Sequence, residues 1–349
     1  MRLIQAGVGG YGSSWLYAVR ECNGFEHVAL VDPNPDFLKE AGQITGLSPD
    51  KFYTSLSDAI SEVRADGLID CTPASCHYDT TTTALRAGLH VLCEKPMSDN
   101  MAAARAMVHT AEEFQRTLMV TQQYRYQDQP RFLRSMIADG TIGDIDHLVV
   151  EFQLQALLAG WRRTMRHPLI MDMSVHHFDL MRYLLGANAL RVQALTWNPS
   201  VSNTQGDMNA FIWIEFEGGV RINYTGSFAS PGSDTGWNGR WDITGTRGSL
   251  VWNQKDDWGP IRLFKQDANP ANYQIPHIFT PLPEVWGQPV WASSIGPVGH
   301  HYDLYHWNAC IQADVEPETS GKDNLHTLAL TFAAIKAADS GQVVEVNSI

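Results

Sequence analysis

The sequence predicts an α/β first half built on a parallel sheet and an α+β second half built on a mostly antiparallel open sheet. Three observations carry this. Up to residue 122, short apolar runs alternate with helix-like stretches, the rhythm of βαβ units. Beyond it the runs lengthen, alternate in polarity and follow one another through short turns, as antiparallel strands do. The 349 residues also exceed the roughly 100 to 200 of one ordinary domain. Two domains are therefore expected, 1–122 and 123–349, with the C-terminal helix free to pack back on the first.

The elements follow in order. Arg2 to Val8 reads as the first strand, and Ser14 to Arg20 as a helix that stops near Asn23-Gly24, glycine being a common helix terminator. Val28 to Asp32, Gly67 to Thr72, His90 to Cys93 and Leu118 to Thr121 are apolar runs of the kind buried on both faces of a parallel sheet. In the second half Ile145 to Leu154, Arg191 to Asn198, Asn209 to Glu217 and Gly219 to Ser227 alternate, with Glu217-Gly218-Gly219 as a hairpin turn. Tyr302 to Ala313 and Asn324 to Ser340 close the chain as helices. The second face of the antiparallel sheet is expected to serve a homo-oligomer, a dimer or tetramer.

Composition excludes several classes. With 44% hydrophobic and 18% charged residues the chain has the makeup of a globular protein. No run approaches the ~20 apolar residues of a membrane span. A net charge of −13 repels polyanions, so nucleic acid is not an expected partner. The five cysteines, Cys22, Cys71, Cys76, Cys93 and Cys310, lack Cys-x-x-Cys spacing and read as reduced, mostly buried thiols. That usage points to the cytoplasm.

Gly7-Val8-Gly9-Gly10-Tyr11-Gly12 fits G-x-G-x-x-G directly after one strand and before one helix. The first glycine permits a tight turn, the second lets backbone approach a pyrophosphate, and the third allows close packing of helix on sheet. Asp32 ends the second strand, about 20 residues past the last glycine, where a carboxylate accepts from ribose hydroxyls. The same carboxylate repels a 2′-phosphate, and Pro33-Asn34-Pro35 supplies no arginine to receive one. A Rossmann domain that binds NAD, with NAD⁺ preferred over NADP⁺, is the expectation.

A second cluster runs from Asp70 through Thr72-Pro73 to His77, then Ala87-Gly88-Leu89-His90-Val91 and Glu94-Lys95-Pro96. Here the chain resembles the Gfo/Idh/MocA family of sugar and polyol oxidoreductases. The likeness continues through Gln123-Tyr124-Arg125, Gly140 to Ile145 and Ile243 to Leu250. It implies that Thr72, Pro73, His77 and Glu94 help to bind the cofactor, together with Gly7, Gly9, Gly10, Tyr11, Gly12, Asp32 and Lys95. It also implies that Lys95 lies beside the nicotinamide and the reacting hydroxyl. An ammonium there can donate to the oxygen that gains negative character as hydride leaves.

The third cluster is Ile170 to Met181, read as helical. At about 100° per residue Asp172, His176 and Asp179 share one stripe, from which His177 is turned away. By resemblance Asp172 and His176 carry catalytic roles. An imidazole suits removal of a hydroxyl proton, and a nearby carboxylate orients it. His177 stands where many members carry Asp, which leaves it as a secondary candidate for substrate contact, with Arg125, Trp161, Arg162 and Arg163. His300-His301-Tyr302 is a further cluster that the sequence does not place. No metal site is expected, since no fourth ligand with recognisable spacing accompanies these histidines and acids.

The expected activity is therefore oxidation of a hydroxyl of a small carbohydrate, polyol or related glycoside by hydride transfer to NAD⁺. Two rivals stand beside it, an NAD-retaining, redox-neutral glycoside hydrolase or lyase, and a nucleotide-binding sensor without turnover.

Overall fold

The computed structural model describes residues 1–253, 255, 261–265, 288–290, 292, 294 and 296–349. The chain divides into two compact units, Met1–Gln127 with Ile295–Ala329, and Asp128–Ser294 with Leu330–Ile349.

In the first unit strands β1 (Arg2–Ala6), β2 (Glu26–Val31), β3 (Phe52–Tyr53), β4 (Gly67–Asp70), β5 (His90–Cys93) and β6 (Leu118–Val120) alternate with helices α1 (Gly12–Glu21), α2 (Pro35–Thr45), α3 (Leu56–Glu62), α4 (His77–Arg86) and α5 (Met101–Glu113). The strands pair in parallel, in the order β3-β2-β1-β4-β5-β6. This is the expected Rossmann sheet. Its order reverses at β1 and β4, the switch point beside which open α/β sheets bind ligands.

Local chemistry sets the helix limits. Asn34 caps α2 by accepting from Asp36 N, Pro35 opens it with φ already fixed, and Gly46 closes it in the left-handed region. Asn100 caps α5 through Ala103 N. Between the layers Leu3, Ile69, Leu92 and Met119 meet Trp15 of α1 and Trp307, all fully buried. Trp307 belongs to α8 (Gly299–Ala313), so a segment late in the sequence completes the first core.

The second unit holds α6 (Asp128–Ala138), β7 (Ile145–Gln153), α7 (Val175–Leu185), β8 (Ala189–Trp197), β9 (Asn209–Phe216), β10 (Arg221–Ser227), β11 (Arg240–Gly245), β12 (Gly248–Asn253), β13 (Ile261–Lys265), β14 (Gln288–Val290) and β15 (Val344–Glu345). Helix α9 (Gly321–Ser340) begins in the first unit and ends in the second. The sheet runs β14-β13-β12-β11-β7-β10-β9-β8-β15, antiparallel except where β7 meets β10. The expected hairpin joins β9 to β10, with Gly218 at φ 76° and Gly219 at φ 83°, values that suit glycine.

Alternation sorts the two faces of this sheet. Ile212 and Ile214 of β9, Ile222 and Tyr224 of β10 and Leu148 and Val150 of β7 are buried. On the opposite face Leu195 pairs with Phe211, and these two are 62% and 50% exposed. Among the described residues no helix is long and apolar enough to cross a membrane. All five cysteines are free, with Cys22, Cys93 and Cys310 buried.

Candidate active site

The glycine turn leaves β1 with Gly7 at φ 79° and Gly10 at φ 54°, conformations that a side chain disfavours. A Cβ on Gly7 would strike the carbonyl of Cys71, and one on Gly12 would strike the carbonyl oxygen of Gly7. Helix and turn are thus packed as closely as backbone permits. Gly9 carries the ring of Phe37, which leaves no room for a Cβ, whereas a Cβ on Gly10 would meet open space. Amides at a helix N-terminus with open space beside them suit a diphosphate.

Asp32 directly follows β2 and is nearly buried, at 7% exposure. One carboxylate oxygen accepts from Val8 N at 3.0 Å and the other from Asn34 N at 2.9 Å. It therefore shapes the glycine turn, and each oxygen keeps a second lone pair for a ribose hydroxyl. These residues fit the dinucleotide that the motif implies.

The loops after β4 and β5 are tied together by His77, which is 1% exposed. Its Nε2 lies 2.7 Å from Thr72 O, and its Nδ1 lies 3.1 Å from Pro96 O and 3.2 Å from Met97 O. Thr72 Oγ1 donates to Asp70 at 2.6 Å, Thr81 Oγ1 donates to the other oxygen at 2.9 Å, and Pro73 O accepts from Cys76 N. Asp70, His77 and Cys93 bring ligand-type atoms within 4.8 Å of one another. Protein groups engage the acid and the imidazole, and desolvation, reinforced by Glu94 and Asp70, raises the thiols of Cys71 and Cys93 well above their usual range. For Cys93, Asp70 is the nearer of the two acids in effect.

Glu94, 5% exposed, accepts from Trp15 Nε1 at 2.8 Å and from Lys95 N at 3.0 Å. Lys95 N also donates to Thr121 Oγ1 at 3.3 Å. The backbone of Lys95 is thus held at the carboxyl end of β5 by α1 on one side and the end of β6 on the other. The Lys95-Pro96 peptide is cis. Arg125 is buried, donating to Glu318 O at 3.2 Å and to Asp323 at 3.3 Å. It anchors the chain after β6 to the start of α9.

In the second unit Leu169–Ser174 forms a π-helix that runs into α7. Such insertions recur at functional sites. The wider turn means that the rotation of about 100° per residue holds for His176 and Asp179 on α7 but does not carry back to Asp172. Asp172 accepts from Arg162 Nε at 2.8 Å. The Arg162 guanidinium lies 4.6 Å from the ring centre of Trp161, which is 51% exposed, and Arg163 Nε donates to Asn203 O at 3.1 Å. His176 and Asp179 are 4% and 1% exposed.

His177 is fully enclosed. Its Nε2 donates to Trp237 O at 3.0 Å, since a carbonyl can only accept, and its Nδ1 lies 2.9 Å from the Tyr224 hydroxyl. Burial lowers it to about 4. Both ring nitrogens are engaged by protein groups, because His177 faces the sheet from α7. The stripe argument turned His177 away from His176 but could not show what it faces.

The chemistry of the first unit also includes residues that the sequence did not single out. Trp15 is one, three positions past Gly12, where only the pairing with Glu94 reveals its use. Asp303 of α8 is another, and His300 of the same helix belongs to the His300-His301-Tyr302 cluster that the sequence names without placing. His300 stacks on Trp15 at 4.1 Å between ring centres, a contact that no spacing signals across nearly the whole sequence.

A Rossmann sheet with this glycine turn and strand-end acid fits the class of dinucleotide-dependent oxidoreductases. Residues 1–122 match the family described as "Oxidoreductase family, NAD-binding Rossmann fold", and residues 130–251 match the "GFO/IDH/MocA C-terminal domain". The chain belongs to the GFO/IDH/MocA oxidoreductase family. It is 28% identical to a D-apiose dehydrogenase of Paraburkholderia graminis over 98% of this chain and 89% of that one. It is 24% identical to a 1,5-anhydro-D-fructose reductase of Ensifer adhaerens over 96% of this chain and 95% of that one. An oxidoreductase from Agrobacterium radiobacter, solved with NAD⁺, L-tartaric acid and magnesium, shares the fold. Its TM-score is 0.83 at 21% identity, covering 100% of this chain and 99% of that one.

Proposed function

We propose that the protein is an NAD-dependent dehydrogenase that oxidises a hydroxyl of a sugar, polyol or related glycoside, with NAD⁺ preferred over NADP⁺. The observation that carries this reading is the fixing of the Lys95 backbone amide by Glu94 and Thr121 at the end of β5, in a unit whose glycine turn suits a diphosphate. The names of the dehydrogenase and reductase relatives point to the same substrate class.

When bound, NAD⁺ would supply the hydride acceptor, nicotinamide C4. Gly7, Gly9, Gly10, Tyr11 and Gly12 would hold its diphosphate, Asp32 its adenosine ribose, and the loops carrying Thr72, Pro73, His77 and Glu94 would line the rest. His176 takes the hydroxyl proton as general base. Lys95 is assigned the hydrogen bond to a developing alkoxide as its negative character grows. Asp172, held by Arg162, orients His176 or receives a substrate hydroxyl, and Trp161 offers an exposed face to a sugar ring. Arg163, Arg125 and His177, engaged as described, act by supporting these groups. A second copy of the chain is the partner proposed for the open sheet face bearing Leu195 and Phe211, and sedimentation of the purified protein tests it.

The decisive experiment follows NADH absorbance while the protein meets NAD⁺ and a panel of monosaccharides, polyols and glycosides, beside a Lys95→Ala, His176→Ala double variant. Sustained NADH release that vanishes in the variant supports the proposal and names the substrate class. NAD⁺ binding without NADH release across the panel would favour the redox-neutral lyase or the sensor instead.

A further inference from the structure

Around Tyr11 the first unit carries a polar array, running from the surface to a buried acid, that the glycine motif does not account for. Tyr11 Oη lies 3.2 Å from His300 Nε2, and it accepts from Gln123 Nε2 at 3.2 Å, an amide that can only donate. His300 Nε2 is also 3.2 Å from Ser14 Oγ, whose own proton goes to Tyr11 O at 2.7 Å. The His300 ring is fixed from below by its stack on Trp15.

Behind His300 stands Asp303. It is completely buried, and neither of its carboxylate oxygens accepts a hydrogen bond from a described residue. His300 Nδ1 lies 3.8 Å from Asp303 Oδ2, an ion-pair distance and too long for a hydrogen bond. A buried carboxylate without donors is strongly unfavourable unless a positive charge sits beside it. His300 is the group beside it, and with a proton on Nε2 its ring donates toward Tyr11 and Ser14.

The lone pairs of Tyr11 then decide the outcome. With Gln123 and His300 both donating to Oη, the two acceptor positions of the hydroxyl are filled and its own proton must point elsewhere. The Tyr11 side chain is 47% exposed at the N-cap of α1, so the direction left is toward solvent. Residues 7 to 16 contain no lysine or arginine, so side-chain donation to an anion there falls to such neutral groups.

We propose that Asp303, His300 and Tyr11 form a side-chain extension of the dinucleotide site, in which the Asp303–His300 pair turns the Tyr11 hydroxyl into a donor to the diphosphate. This rests on the NAD reading of the glycine turn. Burial, with Glu94, Tyr124, Asp303 and Cys71 around it, raises the Tyr11 phenol above its usual range, so it keeps the proton it is to donate. Burial pushes Asp303 up to about 6 against the lowering effect of His300.

The test is a double-mutant cycle read by calorimetric titration with NAD⁺ and with ADP-ribose, which keeps the diphosphate and lacks nicotinamide. His300→Phe preserves the ring against Trp15, and Tyr11→Phe removes only the hydroxyl. Each single variant is expected to raise both dissociation constants about tenfold, the scale of one charge-assisted hydrogen bond. The double variant is expected to be no weaker than Tyr11→Phe alone, because both changes remove one interaction. Independent, multiplying losses would overturn the relay, and so would unchanged affinity in either single variant. If the unaltered protein binds neither ligand, the nucleotide reading falls and this inference with it.

Discussion

The indole Nε1 of Trp15 donates to the Glu94 carboxylate at 2.8 Å. The first helix after the glycine turn thereby grips the residue next to Lys95, and cofactor motif and catalytic candidate become parts of one rigid piece. Trp15→Phe keeps an aromatic ring in the core but leaves the buried Glu94 carboxylate short of a donor. Loss of a hydrogen bond to a buried charged group, with a small cavity, is expected to cost about 3 kcal/mol, and urea unfolding measures it.

Gly12 faces the carbonyl oxygen of Gly7 with no space for a methyl group. Gly12→Ala would push α1 off the turn, because neither backbone can yield as a flexible side chain could. The expected results are a destabilisation of about 2 kcal/mol and an NAD⁺ affinity too weak to saturate in calorimetric titration. Gly10→Ala, whose Cβ would meet open space, serves as the comparison and is expected to cost only the strain of its positive φ.

Arg162 and Asp172 form an ion pair at 2.8 Å with side chains 34% and 15% exposed. Pairs open to solvent contribute little to stability, with about 1 kcal/mol as an upper figure. Asp172→Asn is therefore expected to leave the thermal midpoint nearly unchanged. On the proposed mechanism it lowers kcat/KM by about 10²-fold, the low end of acid-base contributions. Steady-state kinetics beside a melting curve separates the two effects, and an unchanged kcat/KM would remove Asp172 from the catalytic set.

His177 shows how burial, outweighing a hydrogen bond to Trp237 O, sets a pH response. Its folded value, lowered to about 4 from 6.5 by burial, means that the unfolded chain binds the proton more tightly. Its contribution to stability is thus present above pH 6.5 and lost as pH falls toward 4. The span corresponds to about 3 kcal/mol. Denaturant unfolding between pH 7 and pH 4 should show this loss, and His177→Gln should flatten that part of the profile. An unchanged slope in a folded variant would assign the acid sensitivity to other groups, such as His27, which burial also lowers to about 4.

The parallel sheet was legible because its strands are apolar on both faces and each is followed by a helix with ordinary stop signals. β3 was missed. It is a two-residue edge strand, Phe52–Tyr53, paired only with Leu30 and Val31, and no local pattern announces so short a pairing. The π-helix at Leu169–Ser174 was read as ordinary helix, since its composition is that of a buried helix and the extra residue per turn is imposed by packing.

The sequence by itself determined the glycine turn, the acid after β2, the lysine after β5 and the two kinds of sheet. Each depends on neighbours close in the chain, on backbone freedom at glycine and on the periodicity of apolar residues. Only the tertiary structure decided that Trp15 holds Glu94, that Arg125 anchors α9, that His177 faces the sheet, and that His300 and Asp303 close on Tyr11. Those pairings join residues distant in sequence, and burial and hydrogen-bond satisfaction select them once the core has formed.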